Sequence, residues 1–260
     1  MILVDVGNTS IHFALEKNGK IVKAWTIDTA GATLVGIRKA VGAVVECRAP
    51  LDTSRPWRDT RGARCIETPA QDKIIVCSVV PRITKLFEQI PGVSIVGKDI
   101  HVPIKCRYNK KQVGQDRLVA AYAAKRLYRN ARIVIDFGTA ITFDILSERG
   151  DYEGGIILPG IGSTMRTLAN CAMLPKHMRL RHVKTLVPRN TEESINKGID
   201  SGFSAMLNLL ISEYKKVLKI AKPDTIIVTG GEGFFIARKL KHKCILDSML
   251  IAKGLALLYD

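Results

Sequence analysis

Long apolar runs are missing from this sequence. None approaches the roughly 18–20 residues needed to cross a bilayer, so no membrane span is expected. The opening residues MILVDVGNTS have no basic stretch ahead of the apolar one and place Asp5 inside it, so they do not read as a signal peptide. The six cysteines, at 47, 65, 77, 106, 171 and 244, form no C-x-x-C pair. They read as reduced thiols of a cytoplasmic protein, with no disulfide framework and no zinc site. The five histidines show no metal-ligand spacing, and no low-complexity segment or flexible linker interrupts the chain. Acidic residues are scarce: 24 Asp and Glu stand against 40 Lys and Arg, a formal charge of +16. Such an excess attracts nucleotides, phosphorylated metabolites or nucleic acid without choosing among them. The densest basic run, KHMRLRHVK at 176–184, suits a solvated loop as well as a binding patch.

What remains is a chain of 260 residues with 47% hydrophobic content. That is enough for a sizeable core in one large domain or two ordinary ones. ILVDV (2–6) is a short strand, and HFALEKNGKIVKAWTI (12–27) is two strands joined at Asn18-Gly19, the favoured type I′ hairpin turn. TLVGIRKAVGAVV suits a helix and then a strand, and LDTSRPWRDTRGARC is loop-like. KIIVCSVV (73–80) is a buried strand, and Pro81 opens a helix over RITKLFEQI. DRLVAAYAAKRLYR (116–129) has the spacing of an amphipathic helix. TMRTLANCAML (164–174) reads as a helix ended by Pro175. One or two helices, capped near Thr191, cover 191–221. DTIIVTGGEG (224–233) is a strand running into a glycine turn, and MLIAKGLALLY (249–259) closes the chain as a helix. Strands alternating with helices predict an α/β fold.

The middle of the chain repeats its start. Asp5, Gly7 and Gly19 fall on Asp136, Gly138 and Gly150 at an offset of 131, while Thr9, Phe13 and Leu15 fall on Thr139, Phe143 and Ile145 at 130. One residue is inserted and later compensated. The shared unit is strand, Asp-x-Gly, small polar residues, strand, glycine turn, strand, and two copies predict two similar lobes.

The repeated unit carries a chemistry. A glycine turn between strands exposes backbone N–H groups and has no side chain to obstruct a phosphate. Asn8, Thr9 and Ser10 add donors. A carboxylate at the strand end cannot touch phosphate directly, but it can hold a hydrated Mg²⁺ that does. A single D-x-G is equally well a strand capped by an Asx turn; its recurrence, with T-G-G-E-G as a third glycine turn, favours a nucleotide held between two lobes. VGQDRL (113–118) is a second candidate. Gly114 frees the backbone just before a helix whose N-terminus favours anions. Asp116 could accept a hydroxyl proton and Arg117 could hold an anion, although on sequence alone an ordinary N-cap is the simpler account. Asp144 suits a structural role, and Glu153 could face either the site or solvent.

The ordered set DVGNT, SVVP (78–81), VGQDR (113–117), DFGTA (136–140), EGGIILPG (153–160), LANCAMLP (168–175), RNTEESINKG (189–198) and VTGG (228–231) resembles the type III pantothenate kinases, relatives of actin, sugar kinases and Hsp70. The motifs occur in family order and span most of the chain; residues 29–72 show little likeness. The resemblance implies two duplicated RNase H-like lobes, 1–114 and 115–260, with ATP bound between them. It also implies a homodimer that phosphorylates the primary hydroxyl of pantothenate in the first step of coenzyme A synthesis. By that analogy Asp5, Val6, Gly7, Asn8, Thr9, Ser10, Ile11 and His12 contact ATP, with Asp5 reaching Mg²⁺ through water, and Thr139 contacts ATP from the second lobe. Asp116 is the general base, and Gly114, Gln115, Asp116 and Arg117 cradle pantothenate. Asp136 binds a monovalent cation, K⁺ or NH₄⁺, and Thr191 reaches pantothenate across the dimer interface. The family places a substrate-contacting Tyr nine residues before the base, in a stretch like Y-x-N-P. Here Arg107 holds that position, the proline is missing, and Tyr108 stands eight before Asp116. A loop one residue shorter would let Tyr108 take the role.

Two other readings compete. Asp5, Asp136 and Asp144 with Mg²⁺ suit an RNase H-like nuclease, but a nuclease needs one lobe and this chain carries two copies. A non-catalytic regulator that contacts nucleic acid would suit the positive charge. An intact Asp116 and both turns favour catalysis and make nucleic acid a poor partner.

Overall fold

The computed structural model describes residues 1–42, 73–107, 109–171, 175, 178–219 and 225–259. It contains two five-stranded sheets built to one plan. In the first, β1 (Ile2–Val6) lies between β2 (Ser10–Lys17) and β4 (Ile74–Ser78), with β3 (Lys20–Asp28) and β5 (Val93–Ile95) at the edges, in the order β3-β2-β1-β4-β5. In the second, β6 (Ala131–Phe137) takes the place of β1, β7 (Ala140–Leu146) and β8 (Tyr152–Pro159) form the meander, and β9 (Thr225–Thr229) and β10 (Cys244–Leu246) add the parallel strands, in the order β8-β7-β6-β9-β10. The repeat read from the sequence is thus a repeat of topology. The ladders even slip at equivalent places, between Leu15 and Glu16 in one copy and Ile145 and Leu146 in the other. Asn18 and Gly19 both have positive φ, as a type I′ turn requires.

Helices separate the sheets and cover their outer faces. α1 (Leu34–Gly42) and α2 (Pro81–Phe87) cover the first sheet. α4 (Ile161–Ala169), α5 (Thr191–Val217) and α6 (Gly233–Ala237) pack on the outside of the second. Between the sheets lie α3 (Gln115–Leu127) and α7 (Leu250–Leu257). The two cross closely at Gly254, where a Cβ would stand 2.8 Å from Val119 Cγ1 and 2.9 Å from its carbonyl oxygen. α7 reaches back to pack on β1, β2 and β4 of the first lobe, and Gly114 is the N-cap of α3.

Three expectations are corrected here. The helix at 116–129 is not amphipathic in the sense of one apolar stripe: Leu118 through Ala124 are all buried, because a sheet lies on either side of it. The helix expected at 164–174 starts earlier, at Ile161, and ends at Ala169. The cap of α5 is Asn190 rather than Thr191, with its side-chain oxygen accepting from Glu193 N at 2.9 Å. That helix runs unbroken over its 27 residues. The strand expected after α1, the loop-like stretch at 51–65 and Tyr108 lie outside the described residues.

Candidate active site

Strand alternation builds the site. On β1, Ile2, Val4 and Val6 point into the outer core, so Leu3 and Asp5 point toward the layer between the sheets. On β6, Ile133, Ile135 and Phe137 point outward, and Val134 and Asp136 point inward. The duplicated carboxylates therefore face the same inter-lobe space from opposite sides. Asp116, in the first turn of α3, enters the same space. All three line one cavity of about 300 Å³, together with Gly7, Asn8, Thr9, Ser10 and His12 from the first copy and Gly138 and Thr139 from the second.

The two glycine turns touch. Thr9 Oγ1 and Thr139 Oγ1 are 2.8 Å apart. Each turn is closed by an equivalent pair of backbone bonds: Gly7 N donates to Ser10 O at 3.0 Å and Thr29 N to Thr9 O at 3.0 Å; Gly138 N donates to Ala140 O and Gly160 N to Thr139 O, both at 3.1 Å. The third glycine turn closes on Asp136. Gly230 has a φ of +83, and a Cβ there would lie 2.5 Å from Asp136 Oδ1 and 2.4 Å from Phe137 O.

Arg166 lines the cavity beside Glu232, but none of the three aspartates forms an ion pair with it among the described residues. Among the described residues, neither Asp5 nor Asp136 has a hydrogen-bond or ion-pair partner. Burial, then the charges of Asp116 and Asp136, hold Asp5 well above the usual carboxylate range. Burial and the charges of Asp116 and Asp144 push Asp136 up to about 7. Burial also raises Asp116, opposed by the Arg117 backbone N–H, which donates to Asp116 Oδ1 at 2.8 Å, and by the Arg117 charge. His12 is pushed down to about 4 by burial and is therefore neutral. Buried carboxylates such as Asp5 and Asp136, with no ion-pair partner among the described residues, fit bound cations. Among the described residues no three acidic, imidazole or thiol groups converge closely enough to hold a metal directly.

Other expected residues divide. Val6 and Ile11 turn their side chains into the core, leaving only backbone for a nucleotide. Gln115 packs its side chain against Gly97, and Arg117 pairs with Asp144, whose carboxylate is buried away from the cavity. That removes Asp144 from the metal set a nuclease would need. Glu153 pairs with Arg107 at 3.4 Å. Thr191 is exposed at the start of α5 and does not line the cavity. Sequence reasoning missed Glu232, Ser163 and Arg166. Glu232 accepts from Gly162 N at 2.9 and 3.2 Å and so caps α4 at the rim of the cavity. Ser163 Oγ donates to Thr139 O at 2.6 Å and accepts from Arg166 Nη2 at 3.0 Å.

Twin lobes that each end a central strand on an aspartate and a glycine turn have the fold class of the actin-like ATPases and sugar kinases. Solved structures agree on the fold. A conserved protein assigned to the Baf family of transcriptional activators, from Campylobacter jejuni, matches with a TM-score of 0.60 at 20% identity, over 99% of this chain and 96% of its own. The activator of 2-hydroxyisocaproyl-CoA dehydratase from Clostridium difficile, solved with bound ADPNP, matches at 0.53 and 15%, over 100% and 94%. Within that class, the chain belongs to the type III pantothenate kinase family. The family model matches residues 1–213. Type III pantothenate kinases from Sulfurihydrogenibium sp. (35% identical, 71% of this chain and 75% of that one), Zymomonas mobilis (33%, 100% and 92%) and Persephonella marina (32%, 100% and 98%) are among its relatives. The chain is accordingly a kinase whose substrates are ATP and pantothenate and whose product enters coenzyme A synthesis. Among the described residues no helix is long and apolar enough to cross a membrane.

Proposed function

We propose that the cavity holds the ATP phosphates across the two touching turns and presents the pantothenate hydroxyl to Asp116. The observation that carries this reading is the convergence of Asp5, Asp116 and Asp136 on one cavity, with no ion-pair partner for Asp5 or Asp136 among the described residues. Phosphoryl transfer needs positioning and charge neutralisation more than covalent chemistry. Residues Asp5 to His12 and Thr139 contact the nucleotide; Asp5 holds Mg²⁺ through water and Asp136 holds K⁺ or NH₄⁺. When bound, these ions offset charge on the phosphate oxygens. Asp116 takes the hydroxyl proton, and its raised pKa makes it a stronger base than a surface carboxylate. Gly114, Gln115 and Arg117 bound the pantothenate side, with Arg117 answering its carboxylate and Tyr108 closing the pocket.

Thr191 lies outside the cavity of its own chain; if it contacts pantothenate, it does so in the site of a second subunit, so the enzyme is a homodimer, and it works in the cytoplasm. The lobes divide at 114/115. Incubation with ATP, Mg²⁺, K⁺ and pantothenate should yield phosphopantothenate, and the absence of that product would refute the reading. Mixing Asp116→Asn subunits with Thr191→Arg subunits should restore partial activity if each site draws on both chains; full activity of a sedimenting monomer would refute the dimer.

A further inference from the structure

Below the turn that carries Asp116 lies a second buried carboxylate with its own set of partners. Asp144 Oδ1 accepts from Arg117 Nε at 2.9 Å and from the Tyr152 hydroxyl at 2.7 Å, and Arg117 Nη2 stands 2.6 Å away. The Nη2 contact is poorly aligned for a hydrogen bond and acts as charge on charge. Oδ2 accepts from Thr142 Oγ1 at 3.2 Å. The Asp144 side chain is 1% exposed and that of Arg117 11%. The guanidinium also lies over the Tyr152 ring, 5.8 Å from its centre. Gly155 makes the space, since a Cβ there would meet Arg117 Nη2 at 2.9 Å and Phe143 O at 2.1 Å.

The cluster is a junction. Arg117 belongs to the first turn of α3, beside Asp116. Thr142 lines the cavity. Tyr152 also ties down the approach to the VGQDR turn: its N–H donates to Lys105 O at 2.8 Å and its carbonyl accepts from Arg107 N at 3.0 Å. Stability alone does not account for such a pair, because a buried ion pair replaced by well-packed apolar residues often leaves a protein as stable or more so. What an ion pair adds is direction: it fixes where a guanidinium points.

We propose that Asp144 is a positioning residue for the acceptor side of the site, holding the Arg117 guanidinium and so fixing the turn that carries Gly114, Asp116 and Arg117. Tyr152 supports it by holding Oδ1. This rests on the reading of that turn as the pantothenate subsite. Among the described residues the cluster reaches the nucleotide side through Thr142 and through the charge of Asp144 felt at Asp136, with no direct hydrogen bond to either glycine turn, so the larger effect falls on pantothenate.

Steady-state kinetics with both substrates varied tests this on Asp144→Asn. The KM for pantothenate should rise about 10–100-fold, the span for loss of a residue that orients a ligand-contacting group, while the KM for ATP stays within about twofold. A purely structural Asp144 would lower the amount of active enzyme and leave both KM values alone, and that result would overturn the proposal. Should Asp144→Asn not fold, Tyr152→Phe removes one donor and keeps the ring. It should raise the pantothenate KM by roughly 2–5-fold, the worth of one hydrogen bond, and an unchanged value in the folded variant overturns the proposal equally. A wild type that forms no phosphopantothenate would overturn the underlying reading and the proposal together; a wild type that forms it, with variants of normal KM, overturns the proposal alone.

Discussion

The first and second copies of the strand–turn–strand unit differ by one residue and by how each turn is pinned. In the first copy Asp5 stands opposite His12, and the turn between runs Gly7-Asn8-Thr9 before β2 begins. In the second, Asp136 stands opposite Thr142, and Gly138-Thr139 suffices. Asn8 is the additional residue. The first turn is pinned from its own unit: Thr29, which follows β3, donates through Oγ1 to Gly7 O at 2.8 Å, and Arg82 of α2 holds Thr29 O at 2.8 Å. At the equivalent place in the second copy stands Gly160, and the pin comes from Ser163, one turn into α4. One backbone plan is thus kept while the side chains serve different ends. The longer turn carries one more polar side chain, Asn8, and the shorter one is packed under a helix and a third glycine turn.

If the copies divide the work in this way, damage to each should be distinguishable, and damage to the base distinguishable from both. The largest effect is expected at Asp116. Asp116→Asn keeps size and most hydrogen bonds and removes the base, so kcat should fall about 10²–10⁴-fold with nucleotide binding nearly unchanged. Asp5→Asn should slow turnover and also weaken Mg·ATP binding, because the role proposed for Asp5 is to hold the metal. Titration with nucleotide separates the two variants. Near-normal turnover of Asp116→Asn at saturating pantothenate would make the VGQDR turn a simple helix start.

The next test exchanges the pins. A Cβ on Gly160 would lie 2.3 Å from Gly138 O and 2.5 Å from Thr139 O, both backbone atoms that cannot step aside singly. Gly160→Thr should therefore push the second turn open, at a cost of about 1–3 kcal/mol, and weaken ATP binding at least about tenfold. Thr29→Gly, the reverse exchange, loses one hydrogen bond and some chain stiffness, about 1–2 kcal/mol in all, with ATP binding reduced only slightly. Equal losses at both positions would mean that the copies are pinned alike after all.

Much of this pair was legible in the sequence because its elements are local. Asp5 and Asp136 each follow an apolar strand, and Gly7 and Gly138 each follow an aspartate by two residues, so spacing alone exposes the repeat. The hairpin at Asn18-Gly19 was legible for the same reason. Contacts between distant segments were not. Glu232 caps α4 from 70 residues away, and Arg117 meets Asp144 across 27; neither partner carries a local mark. β5 and β10, at three residues each, are too short for alternation to show. The burial of α3 on all sides depends on a second sheet that no periodicity within 115–127 announces.

A smaller effect should mark the second copy alone. With Asp136 holding a monovalent cation beside the phosphates, activity should be high in KCl or NH₄Cl and several-fold lower in NaCl or LiCl. Asp136→Asn should flatten that difference, whereas variants of the first turn keep it at reduced overall rate. Equal wild-type rates in all four salts would assign Asp136 another task.

The smallest expected effect concerns stability without ligands, and its sign follows from the direction of the shifts. Asp136 has a pKa of about 7 in the folded protein against 3.8 for the unfolded chain, and Asp5 is also raised. Between those values the native state holds protons that the unfolded state has released, so stability falls as pH rises. It is greatest below about pH 4 as far as these two groups are concerned, and it is lost as pH passes through 7. His12, held neutral with a pKa of about 4, acts in the opposite direction below pH 6.5, so the comparison is made above it: the nucleotide-free protein, dialysed into a buffer without divalent ions or K⁺, should melt lower at pH 8 than at pH 6.5. Asp136→Asn cannot ionise there and should show a shallower decline, with a higher melting temperature than wild type at pH 8. Asp5 leaves some slope behind. Addition of K⁺ or Mg·ATP at pH 8 should raise the wild-type value, since a ligand that binds only the folded, ionised site stabilises it. A wild-type melting temperature that rises from pH 6.5 to 8 in the absence of ligands would mean that the paired carboxylates are compensated within the protein, and the two copies would then need no cation between them.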